Sequence, residues 1–478
     1  MKRVAPALFC SGVLLWCCDH DKTAQQGAKE PAAPRIRLRI SGDLRGALEP
    51  CGCASGQLGG LARRVFKLHS DPDFDILIEG GNLASGGLPL DLKKTFTALS
   101  ALDLGERRYH AIGLGPLDLE QDPEEYAAIL EVPRSPLIAS DLVATPGFEW
   151  PVRAFSEHEA EPSKGTKVKV RIASLAISKP KAATGAKVTL LAPEAAWKRA
   201  LEGSAPETYR VLLVHDEPDR VRKLAALTPK PDLIVGMCEG MHEPKDSPEL
   251  DTGVPIVWPG IHGRFLVDVT LARIGAQPSV TQYRKIPLEG SPSSPGAMED
   301  VATKNLILQH RHEVAKEDVL TKMGDRIPTA NGGRYVGTSV CGGCHAPALV
   351  AWQKSKHAQA WKTLEDAASG KLKQKGSDKP RYGWPVTAYP DCVGCHVVGY
   401  GQVSGFVNPT KTANLTDVGC ESCHGPGSAH VEARSQGKPL TAGKMGRCET
   451  SLCTSCHNFE QSPNFDYTER WKKIEHGK

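Results

Sequence analysis

The chain has 478 residues, 40% of them hydrophobic and 24% charged. That length suits two or three domains at roughly 100–200 residues each, and the composition excludes wholesale disorder, a collagen-like fibre and a polytopic membrane protein. A net charge of +4, from 59 Lys and Arg against 55 Asp and Glu, is too small to make nucleic acid the main partner. The 15 cysteines are too dilute for a small disulfide scaffold, so their placement carries the meaning.

Three of them, Cys10, Cys17 and Cys18, come first. Met1 to Arg3 supply positive charge, and the 13 mostly apolar residues from Val4 to Trp16 are short for a bilayer span but suit a signal-peptide core. The run Leu14-Leu15-Trp16-Cys17-Cys18 resembles a bacterial lipoprotein cleavage site, with Cys17 or Cys18 as the acylated residue. Trp16 departs from the small residues such sites prefer, and an ordinary signal peptide is the alternative. Residues 1–18 are read as the signal peptide and 19–34 as a polar linker, which places the protein in the periplasm or on the outer face of a bacterial membrane, attached by lipid.

From residue 35 to 290, β-rich runs (36–40, 74–78, 167–177, 210–214, 232–235 and 265–271) alternate with helical patterns (60–68, 92–102, 193–201 and 219–227). This alternation predicts an α/β layered sandwich, whose ligands would lie at the carboxyl ends of strands. Those ends carry Ser41-Gly42-Asp43-Leu44-Arg45-Gly46, Ile78-Glu79-Gly80-Gly81-Asn82, Leu114-Gly115-Pro116-Leu117-Asp118, Val214-His215 and Gly236-Met237-Cys238-Glu239, with Gly59-Gly60-Leu61-Ala62-Arg63-Arg64 between the first two. Together they resemble the ordered motifs of the 5'-nucleotidase branch of the calcineurin-like metallophosphatases. The resemblance implies two divalent metals between two sheets and an Asn-His pair beside the scissile phosphate. This chain departs from it with Arg45 in a His position, Asn82 for the bridging Asp, Pro116-Leu117 for the Asn-His pair and Met237 for a late His. Only Asp43 and His215 remain as ligands, too few for a dinuclear centre, so the domain is expected to be a noncatalytic accessory. Cys51, Cys53 and Cys238 fall where the lost ligands belong, and with Asp43 and His215 they suggest a thiolate-rich site. That site would hold a soft metal ion such as zinc or copper, or a redox thiol pair. A buried disulfide and inert packing are the alternatives.

Residues 291–333 read as a linker and a charged helix over 298–323 carrying His310 and His312, which do not share a helix face.

Beyond it, Cys-x-x-Cys-His occurs four times: Cys341, Cys344 and His345; Cys392, Cys395 and His396; Cys420, Cys423 and His424; Cys453, Cys456 and His457. Two thiols at this spacing form thioethers to both vinyl groups of a haem, and the adjacent His becomes the proximal iron ligand. A zinc ribbon shares Cys-x-x-Cys but has no need of His after each pair. Four covalent c-type haems are therefore expected. Only His357, His430 and His476 remain in residues 334–478 as distal ligands, one short of four. The last iron would take Met445, His310 or His312, or stay five-coordinate. Cys448 is left unpaired. Residues 331–478 hold 18 Lys and Arg against 12 Asp and Glu, an excess that suits haem propionates as counter-charges. So little protein per haem predicts that the porphyrins themselves form the core.

Here Tyr335-Val336-Gly337, Trp352, Ser355-Lys356-His357-Ala358, Gly419-Cys420-Glu421-Ser422-Cys423-His424-Gly425-Pro426-Gly427 with His430, and Asn464-Phe465-Asp466-Tyr467 before Trp471 resemble the tetrahaem cytochrome c-554 family. The resemblance implies a mostly α-helical, haem-cored multihaem cytochrome domain over 334–478, with stacked haems, one of them open, that pass electrons between redox partner proteins. A reductase of a small nitrogen oxide at the open haem is the second reading, and a surviving metal-dependent phosphohydrolase the third.

Overall fold

The computed structural model describes residues 34–50, 58–104, 108–177, 182–274, 277–290, 298–330, 332–373, 378, 380, 382–439, 441–446, 448–458, 461–462 and 464–476. The first half runs β1 (Arg35–Ser41), α1 (Leu61–Ser70), β2 (Ile76–Glu79), α2 (Pro89–Asp103), β3 (Ala111–Gly113), α3 (Pro123–Leu130), β4 (Leu137–Ile138), β5 (Leu142–Ala144), β6 (Phe155–Ser163) and β7 (Thr166–Leu175). It continues through α4 (Ala182–Lys187), β8 (Val188–Leu190), α5 (Pro193–Ala200), β9 (Tyr209–His215), α6 (Pro218–Lys223), β10 (Leu233–Met237), β11 (Ile256–Val257), β12 (Phe265–Ile274) and β13 (Gln277–Pro287). Helices follow: α7 (Val301–Lys316), α8 (Val319–Met323), α9 (Thr338–Gly342), α10 (Ala346–Gln353), α11 (Ala360–Ala368), α12 (Pro390–Val393), α13 (Cys420–His424), α14 (Ser428–Ser435), α15 (Thr450–Cys456) and α16 (Tyr467–Trp471).

Alternation of side chains builds the two main sheets. Ile36, Leu38 and Ile40 on β1 and Ile76 and Ile78 on β2 meet Val170, Ile172, Val211, Leu213, Leu233 and Val235 of the opposite sheet in one dry core. Leu77 points the other way, to the helices, so the sheet is covered on both faces. The order β13-β12-β1-β2-β3-β4 faces β11-β10-β9-β7-β6. Neighbours run parallel from β1 to β4 and from β7 through β9 and β10 to β11. Helices α5 and α6 cover the outside of the second sheet, completing an α/β layered sandwich.

Every expected strand and helix of this region is present. Sequence patterning does not mark the short β3, β4, β5, β8 and β11, nor β6 and β13, both edge strands. Their polar residues, such as Glu157, Glu159 and Glu161 on β6, suit a sheet edge and weaken the apolar alternation on which detection depends. The helix expected over 298–323 is instead two, α7 and α8, because Asp318 adopts φ of 52° and ends the α-helical run.

The helical region has a protein core of its own, contrary to the expectation that porphyrins alone would fill it. Leu90 of α2, with Val314, Val319 and Met323 from α7 and α8, packs against Trp361, Trp384, Tyr389, Val393 and Phe406. Helices from the preceding region thus supply apolar surface that the short helices lack. Residues 34–478 accordingly cluster as one compact unit.

Between the sheets, His110 accepts from the Leu77 amide and meets His158 edge-on at 4.8 Å. Burial, then the neighbouring His158, pushes the His110 ring down to about 4. A histidine depressed in the fold contributes stability that is complete above its unfolded value of about 6.5 and is lost as pH falls from there towards 4. Asp118 and Asp141, pushed up to about 6 by burial, act with the opposite sign, losing stability as pH rises through the same window. His110→Asn should therefore flatten the acid limb of the stability curve relative to wild type, by on the order of 2 kcal/mol between pH 7 and pH 4. Urea midpoints across that range measure it, and an unchanged limb would contradict the assignment.

Candidate functional site

The four Cys-x-x-Cys-His motifs sit on short helical turns. Cys341 ends α9, Cys392 lies in α12, α13 spans the whole third motif, and Cys453 and Cys456 lie in α15. One helical turn brings residues i, i+3 and i+4 to one side, and amide bonds from His345 to Cys341 O (3.0 Å) and from His457 to Cys453 O (2.8 Å) close that turn. The motifs converge. Cys341 and Cys420 are close neighbours, as are Cys395 and Cys456. Cys448 lies 4.0 Å from Cys453 and also touches Cys423, between the third and fourth motifs.

The histidines pair across these motifs. His345 faces His430 with ring centroids 6.1 Å apart, His457 faces His357 at 6.2 Å, and His424 faces His476 at 6.0 Å. Imidazole nitrogens lie about 2 Å from a bound first-row metal, so two rings ligating from opposite sides have centroids roughly 6 Å apart. The residues therefore fit a haem iron. Backbone carbonyls orient several rings through Nδ1: Gly446 O for His424 (3.1 Å), Gly443 O for His430 (3.2 Å), Ile474 O for His476 (2.9 Å) and Ala360 O for His396 (2.6 Å). Ser462 Oγ plays this part for His457 at 3.0 Å. Bonds at Nδ1 fix the tautomer and leave Nε2 for metal, as around most metal-bound histidines.

His396 belongs to none of these pairs. Of the residues considered for the fourth iron, His310 is buried with both nitrogens engaged, Nδ1 with Thr97 Oγ1 at 3.0 Å and Nε2 with the Tyr389 hydroxyl at 3.1 Å. His312 is exposed and Met445 half-buried.

Spacing alone did not reveal Glu421, inside the third motif. It is 2% exposed, and its carboxylate accepts from the amides of Val336 (2.9 and 3.0 Å), Gly337 (2.7 Å) and Gly427 (2.7 Å). Gly337 precedes α9 with φ of 91°, where a side chain would be strained and would meet Asn414.

The second candidate site lies at the carboxyl ends of β1, β2, β3, β9 and β10, where Arg45, Asn82, Pro116, His215, Met237 and Cys238 line a cleft of about 220 Å³. Asp43 is fully buried, and its Oδ1 accepts from Arg45 Nε at 2.8 Å and Asn82 Nδ2 at 2.9 Å. Asn82 Nδ2 also faces His215 Nδ1 at 3.2 Å, and His215 Nε2 donates to Gly80 O at 2.9 Å. Both ring nitrogens are thus occupied, and burial pushes the ring below its ordinary value, which favours the neutral form in this network. Met237 packs its sulfur against Gly80 and Gly42. Cys238 is buried, its thiol pushed up by burial and 3.8 Å from Glu217, which opposes thiolate formation. Cys51 and Cys53 lie outside the described residues, as do Cys17 and Cys18. Among the described residues no group of three or more His, Cys, Asp or Glu side chains is gathered so as to hold a metal ion.

Residues 340–425 match the family model described as cytochrome c554 and c-prime. Cytochrome c-554 of Nitrosomonas europaea is 34% identical over 143 residues, covering 27% of this chain and 60% of that protein. Among solved structures, the 5'-nucleotidase precursor of Thermus thermophilus is 18% identical with a TM-score of 0.46, over 62% of this chain and 61% of that one. The NAD nucleotidase of Haemophilus influenzae is 15% identical with a TM-score of 0.48, over 65% and 64%. The chain thus spans less than two thirds of each of these relatives. With four Cys-x-x-Cys-His turns brought together and this similarity beside them, the carboxy-terminal region is cytochrome c-554-like, and an α/β sandwich precedes it in the same chain.

Proposed function

We propose that this chain is an exported tetrahaem c-type cytochrome that relays electrons between redox partner proteins. Cys341 and Cys344, Cys392 and Cys395, Cys420 and Cys423, and Cys453 and Cys456 would carry the haems, with His345, His396, His424 and His457 as proximal ligands. His430, His476 and His357 would be the distal ligands of the first, third and fourth. The observation that carries this reading is the separation of the three ring pairs, each near 6 Å. Bound haem supplies one-electron transfer at potentials set by ligands, charge and burial. The protein's part is to orient the rings through their Nδ1 bonds and to hold neighbouring motifs in contact.

The α/β part, residues 35–290, is read as a metallophosphatase-like accessory domain without catalysis, joined through 291–333 to the cytochrome domain at 334–478. Arg45 on Asp43 and the doubly bonded His215 support this, because both surviving ligand positions are engaged within the protein. The same engagement argues against a soft metal ion there. A signal peptide at 1–18 with a lipid anchor on Cys17 or Cys18 would place the protein in the periplasm. Among the described residues no helix is long and apolar enough to cross a membrane.

His396, outside the ring pairs, favours one second reading, a reductase of a small ligand such as a nitrogen oxide at an open haem. Titration of the reduced protein with carbon monoxide tests the ligand assignment. Wild type is expected to bind about one molecule per chain and His430→Ala about two. No binding by wild type would remove the open haem, and fewer than four haems by pyridine haemochrome would remove the tetrahaem reading.

A further inference from the structure

The α/β region grips the second haem motif through one face of α2. Lys94 and Thr97 lie three residues apart on that helix and share a face, and both are buried. Lys94 Nζ donates to the carboxylate of Asp391, the residue directly before Cys392. Thr97 bonds His310, which in turn meets the Tyr389 hydroxyl, and Leu90 of the same helix enters the core with Tyr389 and Val393. Lys94 also reaches back: a Cβ on Gly46, in the loop after β1, would come within 3.2 Å of its Cδ. The Lys94 side chain is 8% exposed and that of Asp391 is 53% exposed. The cation is therefore the desolvated member of the pair, where charge acts over longer distances than in water.

We infer that Lys94 is the residue through which the α/β region sets the reduction potential of the haem on Cys392 and Cys395. This rests on the reading that these thiols carry a haem with His396 as its protein ligand. A carboxylate beside a haem favours the ferric state, and a cation beside it favours the ferrous state. Lys94 cancels the first effect from a position the cytochrome segment cannot itself supply. The α/β region is then an electrostatic part of the cytochrome, working at the haem of His396, which pairs with no other histidine ring among the described residues.

A charge cycle on the full-length holoprotein, read by spectroelectrochemical titration, tests the inference. Lys94→Gln leaves Asp391 uncompensated and should lower one haem's potential. Asp391→Asn removes the carboxylate beside the motif and should raise the same haem's potential. Each should change that haem's redox equilibrium by roughly tenfold, about 60 mV for one electron, and the double variant should return close to wild type. Lys94→Arg, which keeps the charge, should shift least. Single-variant potentials that stay within about twofold, roughly 18 mV, or that move in the same direction, overturn the inference while leaving the cytochrome reading intact. Should Lys94→Gln fail to mature with a full haem complement, Asp391→Asn and Lys94→Arg decide by the same signs. Mass mapping that finds no haem on the Cys392 peptide of wild type would overturn the inference and the reading together.

Discussion

Glu421→Ala should destabilise the protein by about 3 kcal/mol or more, since it strands three amide donors that now bond to an ionised group worth roughly 1.5–3 kcal/mol each. The three donors belong to different parts of the cytochrome-like region. Val336 and Gly337 lead into α9, which carries Cys341, and Gly427 leads into α14, which carries His430. Glu421 itself sits in α13 between Cys420 and Cys423. One buried carboxylate therefore ties the third motif to the first and to the ring facing His345. Its loss should loosen the His345–His430 pair as well as the fold. Carbon monoxide uptake by the reduced variant should rise above that of wild type, and the denaturant midpoint should fall. Glu421→Gln keeps one acceptor oxygen and should lose about half as much. A midpoint for Glu421→Ala within about 0.5 kcal/mol of wild type would show that solvent replaces the carboxylate without cost.

Glu79→Gln should cost about 3–5 kcal/mol, the usual effect of removing one partner from a fully buried ion pair. Arg64 and Glu79 both have 0% side-chain exposure, and the Glu79 carboxylate also accepts from Ser41 Oγ at 2.6 Å. Neutralising Glu79 leaves a guanidinium enclosed without its counter-charge. The pair joins α1 to the ends of β1 and β2, immediately before the loops that carry Asp43 and Asn82. Replacing both residues, as in Arg64→Met with Glu79→Met, should cost much less than Glu79→Gln alone, because no lone charge is left behind. Equilibrium denaturation of both variants measures this. A double variant less stable than Glu79→Gln would mean that the pair contributes through shape rather than charge.

Local patterns were the legible ones. β-rich apolar runs marked β1, β2, β7, β9, β10 and β12, because strands covered on both faces carry mostly Val, Ile and Leu. The same rule hid β6 and β13, where an edge position permits Glu, Gln and Thr. The four Cys-x-x-Cys-His motifs were legible because their spacing is short and fixed. The count of three spare histidines for four motifs was legible too, but not their partners. Fifty-two residues separate His424 from His476 and 85 separate His345 from His430, and no local rule carries across such distances. At the strand ends, Arg45, Asn82 and Met237 were legible in the sequence, but not their contacts. That Asn82 and Gly80 would occupy both His215 nitrogens depended on how close the two sheets approach, whereas Arg45 reaches Asp43 within a single loop.

By itself, then, the amino-acid sequence determined the chemistry available: eight thiols and four adjacent histidines in repeated Cys-x-x-Cys-His motifs, and an α/β region with Asp43 and His215 at its strand ends. Tertiary structure decided which of those groups meet. Ring pairs, the Glu421 tie and the Lys94–Asp391 contact each join residues far apart in the chain, and burial, not spacing, gives them their strength. Desolvation lets the Lys94 charge reach further than it would in water, and makes Glu421 costly to remove. Neither property belongs to the residue type, since the same side chains exposed to water would contribute little.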